Sequence, residues 1–246
     1  MGISETKEML ENALKENKKL SMQARDIISC CVCDFSEFFN KYNIELDYDN
    51  ICNLVSSLNL DESNDISAPV EYDPKSNSFV FSKKVFKQEE IDKGFEKSVL
   101  SMITNVYSIE TDKYNEGLTF DINGKQYGKI VNEKLKDRIV ELTYGNLDDK
   151  IVTLPTTLDS LSMDFEQFIG SENLLTYFVN GRGDLMFNNI ESLFNSEEEC
   201  ILFFRNLNRY LEVDPNDMRG LRAVDAAYEN KKEEILQNKL NNTLAM

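Results

Sequence analysis

One stretch, residues 99–144, constrains the fold more than any other part of the sequence. It contains two runs in which apolar residues recur every three or four positions, the spacing that places them on one face of a helix. Between the runs stands Asn123-Gly124, a pair that accepts the positive backbone φ of a tight β-hairpin. The pattern predicts a helix over residues 88–109, a hairpin, and a second helix that ends at Gly145.

The rest of the chain carries more helical patterns than strand patterns. Apolar residues at helical spacing predict helices over residues 21–42 and 48–58. A short β-prone run predicts a strand at Phe79–Phe81, and the polar, proline-containing stretch 61–77 predicts a break before it. We expect only helices in the last third of the chain.

These patterns predict a mainly α fold with a small β component (α+β). We expect an N-terminal helical section over residues 1–62, a helix–hairpin–helix core over 63–150 and a C-terminal helical bundle over 151–246, packed as one compact unit. In the last section Asp184 and Ser196 are predicted to cap helices, because their side chains accept hydrogen bonds from free backbone N–H groups.

The chain contains no histidine, which excludes many functions. Histidine titrates near neutral pH and is the commonest zinc ligand. Any general acid or base therefore has to be a carboxylate, lysine, tyrosine or cysteine. Cys30, Cys31 and Cys33 are clustered, but a helix spreads them around its circumference, so we expect reduced thiols there. No metal and no cofactor are predicted.

The formal net charge of −17 limits the kinds of partner that the protein can bind. An acidic surface repels DNA, RNA and anionic membranes, so we expect no direct nucleic acid and no membrane partner. Residues 1–20 are highly charged, which argues against a signal peptide, and we expect a cytoplasmic location. An acidic surface can also imitate nucleic acid, and an acidic inhibitor of a nucleic-acid site is therefore one alternative function.

A short run in the second predicted helix, Asn132-Glu133-Lys134-Leu135-Lys136-Asp137, matches the pattern N-E-x-x-x-D. It resembles the helix that supplies the third zinc ligand of gluzincin-type zinc metallopeptidases, in which an earlier helix carries H-E-x-x-H. In that frame Ser101 and Asn105 stand in place of the histidines, and Met102 in place of the catalytic glutamate. The surrounding pattern, including Tyr127-Gly128, is similar to a group of bacterial gluzincin-like proteins.

The resemblance implies a zincin-like core that has lost its zinc ligands and its activity. Serine, methionine and asparagine supply no imidazole, and one carboxylate does not hold zinc. The alternative is an unrelated α-rich domain, in which Met102 belongs to the core and Glu133 to a solvated helix turn. We predict a vestigial cleft without catalytic residues, lined by Ser101, Met102, Asn105, Tyr127, Glu133 and Asp137.

The sequence therefore predicts a non-enzymatic binding or interaction protein with a protein or peptide partner. The edge of the predicted hairpin is one place where an extended chain can pair. A second alternative is a hydrolase that uses carboxylates, since Glu133, Asp137 and Glu141 follow one another at one-turn spacing and like charges raise a pKa. The sequence leaves the oligomeric state open.

Overall fold

A computed structural model describes residues 3–108, 113–145, 157–214 and 216–244. These residues form ten helices and seven short strands, so the predicted mainly helical α+β class is confirmed. No helix in these ranges has both the length and the apolar character that crossing a membrane requires.

The chain forms two compact units, and each is built from two separate parts of the sequence. The first unit contains residues 1–114 and 139–145, and the second contains residues 115–138 and 146–246.

The first unit combines four helices with a small mixed sheet. The strand order is β1-β3-β2, with β1 parallel and β2 antiparallel to the central β3. A further strand, β4, follows the fourth helix. The elements are α1 (Ile3–Glu16), α2 (Met22–Asn40), α3 (Tyr48–Ser57), β1 (Asn59–Ser63), β2 (Val70–Asp73), β3 (Ser78–Ser82), α4 (Gln88–Ile103) and β4 (Asn105–Ser108).

Local signals account for α2 and α3, which both lie where the sequence predicts them. The Ser21 hydroxyl accepts a hydrogen bond from the Ala24 N–H at 3.1 Å, and the Asp47 carboxylate accepts one from the Asn50 N–H at 3.0 Å. These side chains satisfy N–H groups that the first helical turn leaves free. The apolar face of α2 is buried, including Phe35 and Phe39.

Two predictions in this unit are wrong. The predicted break at 61–77 contains most of β1 and all of β2, because both strands are stabilised by pairing with β3 rather than by an apolar pattern of their own. The helix predicted over 88–109 ends at Ile103, and Val106 lies in β4. The β-branched residues at this point favour a strand over a helix. Ile109 lies outside the described residues.

The second unit is mainly helical and contains the predicted hairpin. Strand β5 begins in the first unit and ends in the second, and α5 belongs to the second unit up to Arg138. The elements are β5 (Lys113–Glu116), β6 (Phe120–Ile122), β7 (Lys125–Tyr127), α5 (Lys129–Tyr144), α6 (Thr157–Ile169), α7 (Ser171–Val179), α8 (Gly183–Glu191), α9 (Glu197–Glu212) and α10 (Met218–Leu244).

Aromatic packing joins the hairpin to the helices of this unit. Asn123 and Gly124 have φ values of 52° and 76°, as the tight turn requires, so the predicted hairpin is confirmed. On β6, the Phe120 ring lies 5.3 Å from that of Phe187 on α8 and 5.0 Å from that of Phe204 on α9, centroid to centroid. Edge-to-face and tilted aromatic pairs at this spacing stabilise a core.

The two helix caps predicted in this unit have different outcomes. Ser196 caps α9, because its hydroxyl accepts from the Glu199 N–H at 3.3 Å. The prediction for Asp184 is wrong. This residue lies in the first turn of α8, where its carboxylate accepts two hydrogen bonds from the Arg182 guanidinium at 2.7 and 2.8 Å. Asp184 is not the N-cap because the helix begins at Gly183, and Arg182 occupies the N-cap position.

We expect Asp164→Ala to lower the free energy of unfolding by about 3 kcal/mol, because it breaks a buried polar network. Asp164 on α6 is 3% exposed; it lies 2.9 Å from the Lys232 ammonium and accepts from the Tyr228 hydroxyl at 3.0 Å, both on α10. Urea unfolding of the full chain measures the change. Glu229→Ala removes an exposed partner of the same lysine and is expected to cost under about 1 kcal/mol. Equal losses would contradict the prediction.

Candidate functional site

The residues predicted to line the vestigial cleft are distributed over both units. Those from α4 and β4 lie in the first unit, and those from β7 and α5 lie in the second. That they share one cleft stays a prediction. The first group is Ser101, Met102 and Asn105, and the second is Tyr127, Glu133 and Asp137.

The three first-unit residues are interior. Met102 is fully buried, Ser101 is 8% exposed and Asn105 is 1% exposed. Among the described residues, neither side-chain amide atom of Asn105 has a hydrogen-bond partner. The Asn50 side chain donates to the Asn105 backbone carbonyl at 3.5 Å. These side chains therefore offer almost no surface to a partner molecule.

In the second unit, Asn132 of the N-E-x-x-x-D segment holds the turn that precedes the hairpin. Its side-chain oxygen accepts a hydrogen bond from the Leu118 N–H at 2.9 Å, and Asn132 is 1% exposed. The adjacent Gly117 has a φ of 52°, and a Cβ there would lie 2.0 Å from the same oxygen. A glycine is required at this turn, and the asparagine has a structural role.

The carboxylates of the same segment are paired with lysines. Glu133 lies 2.9 Å from the Lys136 ammonium, which also pairs with Glu116. Burial alone lowers the pKa of Lys136, but the two carboxylates outweigh it, so the pKa is raised and the ammonium stays charged. Asp137 lies 4.0 Å from Lys134.

Tyr127, the remaining residue of the predicted cleft, also packs within its unit. Tyr127 is 3% exposed and its ring stacks on that of Phe120 at 5.9 Å within the hairpin. No group of three or more cysteine, aspartate or glutamate side chains suited to a metal ion occurs in the described ranges. The N-E-x-x-x-D segment thus has packing and ion-pair roles within its unit.

The first unit contains an open groove of 420 Å³ between α2, the β1–β3 pair and α4, which we call the α2–α4 groove. Its walls are mainly apolar, and Glu96 and Asp92 of α4 add carboxylates to one side. The apolar residues that line it are Ala24, Ile27, Leu60, Phe81, Ile91 and Phe95.

Aromatic contacts between α4 and the sheet form the floor of this groove. The Phe95 ring lies 5.2 Å from that of Phe79 and stacks on that of Phe81 at 6.3 Å. Above this floor, Ile27 is 44% exposed and Leu60 is 41% exposed. Large apolar side chains that surround a cavity and still face water are typical of binding surfaces.

Strand β1 presents a free edge at this groove. Asn59 donates its N–H to the Asn77 carbonyl at 2.9 Å, and the Ser63 carbonyl accepts from the Lys83 N–H at 2.9 Å. Residues of a paired strand alternate between its two edges, so Leu60 and Glu62 direct their N–H and C=O groups away from β3. Within the described residues β1 has no other partner strand.

Glu96 gives the groove a group that titrates near neutral pH. Burial, and then the charges of Asp92 and Asp34, raise the pKa of Glu96 to about 7, although Lys93 opposes the shift. In the part of the chain that the structure describes, no cation forms an ion pair with Glu96. Burial also raises the pKa of the neighbouring Cys31 thiol to about 11, so this thiol stays protonated and is a poor nucleophile.

No protein-family model, curated protein or solved structure matches the chain. The groove therefore has to be interpreted from its own chemistry. The sequence predictions missed it, although two signals point to its parts. One is the helical stripe of Ile91 and Phe95, and the other is Leu60, an isolated apolar residue beside a polar stretch.

We expect Glu96→Gln to stabilise the protein at pH 8 but not at pH 4.5. The folded-state pKa of about 7 exceeds the ordinary value of 4.5, so folding favours the protonated acid and stability falls as the pH rises through this window. Because Glu96 is only half-buried and screened by solvent, the gain at pH 8 is roughly 1 kcal/mol.

Urea unfolding of both proteins at the two pH values measures the effect. The groups that face Glu96 are Asp92 and Lys93 on α4, Cys31 and Asp34 on α2, and Tyr144 on α5. The exposed Glu89→Gln is the matched control and is not expected to stabilise the protein at pH 8. A pH-independent effect of Glu96→Gln would contradict the assignment.

Proposed function

We propose that this chain is a non-enzymatic binding protein that holds an extended segment of a partner protein along β1. The free edge of β1 beside an apolar groove carries this proposal. The outward N–H and C=O groups of Leu60 and Glu62 supply the backbone hydrogen bonds of strand addition. Alternate side chains of the bound segment then enter the α2–α4 groove, where Ile27 and Leu60 are left exposed in the free protein.

The chemistry of the described residues supports binding rather than catalysis. The chain has no histidine, the Cys31 thiol has a pKa of about 11, and Glu133 and Asp137 have lysine partners. The two carboxylates of the α2–α4 groove, Asp92 and Glu96, stand one helical turn apart on α4, beside apolar walls that suit the side chains of a bound segment.

Selection of twelve-residue random peptides against the full chain tests this proposal. We expect peptides with alternating apolar residues, and we expect Glu62→Pro to weaken their binding about tenfold. The N–H of residue 62 faces away from β3, so proline removes an edge donor and leaves the β1–β3 ladder intact.

Glu62→Ala is the matched control, because it removes the same side chain but keeps the N–H. Its affinity for the selected peptides is expected to stay within about threefold of the parent, a difference below 1 kcal/mol. Equal binding by the proline and alanine variants, or a selection that enriches no peptide, would overturn strand addition at β1.

We further propose that the chain is an inactive relative of gluzincin-type metallopeptidases. The N-E-x-x-x-D segment and the Ser101, Met102 and Asn105 positions support this relationship. The triple variant Ser101→His, Met102→Glu, Asn105→His restores the H-E-x-x-H sequence. Because α4 ends at Ile103 and position 105 lies in β4, the two histidines share one zinc ion only if the helix extends through position 105 in the variant.

We expect this variant to take up about one zinc ion per chain, since four-coordinate zinc sites form readily on paired histidines with a carboxylate. Elemental analysis after dialysis measures the metal, and the parent is expected to hold none. Because all three positions are interior, circular dichroism first has to show a folded variant. A folded variant without zinc would refute the relationship.

A further inference from the structure

We infer that the segment bound in the α2–α4 groove carries a lysine or arginine that pairs with Glu96, among apolar side chains at alternate positions. This inference rests on the proposed function and specifies its partner as a basic, apolar strand. It assigns Glu96 the role of selecting that partner by charge.

The first support is the charge around the groove. Glu62 on β1, Asp92 and Glu96 on α4, and Asp34 on α2 are all acidic. Two cations lie near these groups: Lys93 on α4 opposes the shift in the pKa of Glu96, and the Lys19 ammonium donates to the Asn59 side chain at 2.6 Å. Carboxylates that surround an apolar groove favour a cationic ligand and repel an anionic one.

The second support is the environment of Glu96 itself. Its carboxyl is half-buried among apolar side chains, and no cation of the described residues forms an ion pair with it. A buried carboxylate is unfavourable unless it is paired or protonated, and burial with the neighbouring Asp92 raises its pKa to about 7. A cation from the ligand would remove this penalty, so part of the binding free energy comes from Glu96.

The same charges argue against a second copy of this chain as the occupant. Pairing two β1 strands edge to edge would bring the exposed Asp61 and Glu62 of each copy close to those of the other. Charged residues on an edge strand are a common protection against self-association, and a net charge of −17 adds to the repulsion. The same acidic edge attracts a basic segment.

Three labelled heptapeptides of the form acetyl-Thr-Val-Thr-X-Thr-Val-Thr-amide test the inference, with X as lysine, norleucine or glutamate. Fluorescence anisotropy with the full chain measures their affinities at constant ionic strength. At pH 8 we expect the lysine peptide to bind about tenfold more tightly than the norleucine peptide, with the glutamate peptide weakest. At pH 5.5 Glu96 is protonated in the free protein, and we expect the lysine advantage to fall to about twofold.

Glu96→Gln is the decisive variant, because it keeps the shape of the side chain and removes the charge. We expect its preference for the lysine peptide over the norleucine peptide to fall to about twofold at both pH values, the part that the remaining carboxylates supply. If the parent binds the three peptides alike and Glu62→Pro still weakens their binding, the proposed lysine or arginine of the partner is overturned, while strand addition at β1 stands. If Glu96→Gln keeps the full lysine preference, another carboxylate selects the cation and the role of Glu96 is overturned. If no peptide binds, both proposals fail.

Discussion

The packing of the Phe95 ring against Phe79 and Phe81 is the contact on which the first unit depends. It fixes α4 on the small sheet and gives a mixed three-stranded sheet the apolar cover that it needs for stability. Because α4 is held there, Ile91, Phe95 and Glu96 face a space that α2 borders on its other side. The groove and its carboxylate thus follow from one aromatic cluster.

In the second unit, the segment that resembles a zinc-ligand helix has ordinary structural chemistry. Asn132 accepts a hydrogen bond from the turn before the hairpin, and Glu133 neutralises the buried ammonium of Lys136. A buried lysine such as Lys136 is stable only when carboxylates pair with it. The turn at Gly117 has a positive φ, and the Asn132 side chain holds its backbone in place. The requirements of this unit are enough to account for an asparagine and a glutamate side by side, whether or not they descend from a peptidase.

The sequence predictions were more accurate for interactions between residues close together in the chain than for interactions between separated segments. The hairpin and the cap of α9 depend on residues within a few positions, and both were found where predicted. Strand β1 depends on pairing with β3, which lies further along the chain beyond β2, and it was missed. The cap predicted at Asp184 is a local prediction that was wrong, because α8 begins one residue earlier, at Gly183.

By itself the sequence determined the mainly helical class, the hairpin at Asn123-Gly124 and the exclusion of histidine chemistry, because periodicity, turn residues and composition are local properties. Only the tertiary structure decided where a partner can bind. Strand β1 is polar and pairs with residues 78–82 far along the chain, so its free edge exists only once β3 is in place. Likewise, Glu96 becomes a titratable group in a groove only when α2 and the sheet bury it, since desolvation depends on neighbours that the sequence does not place.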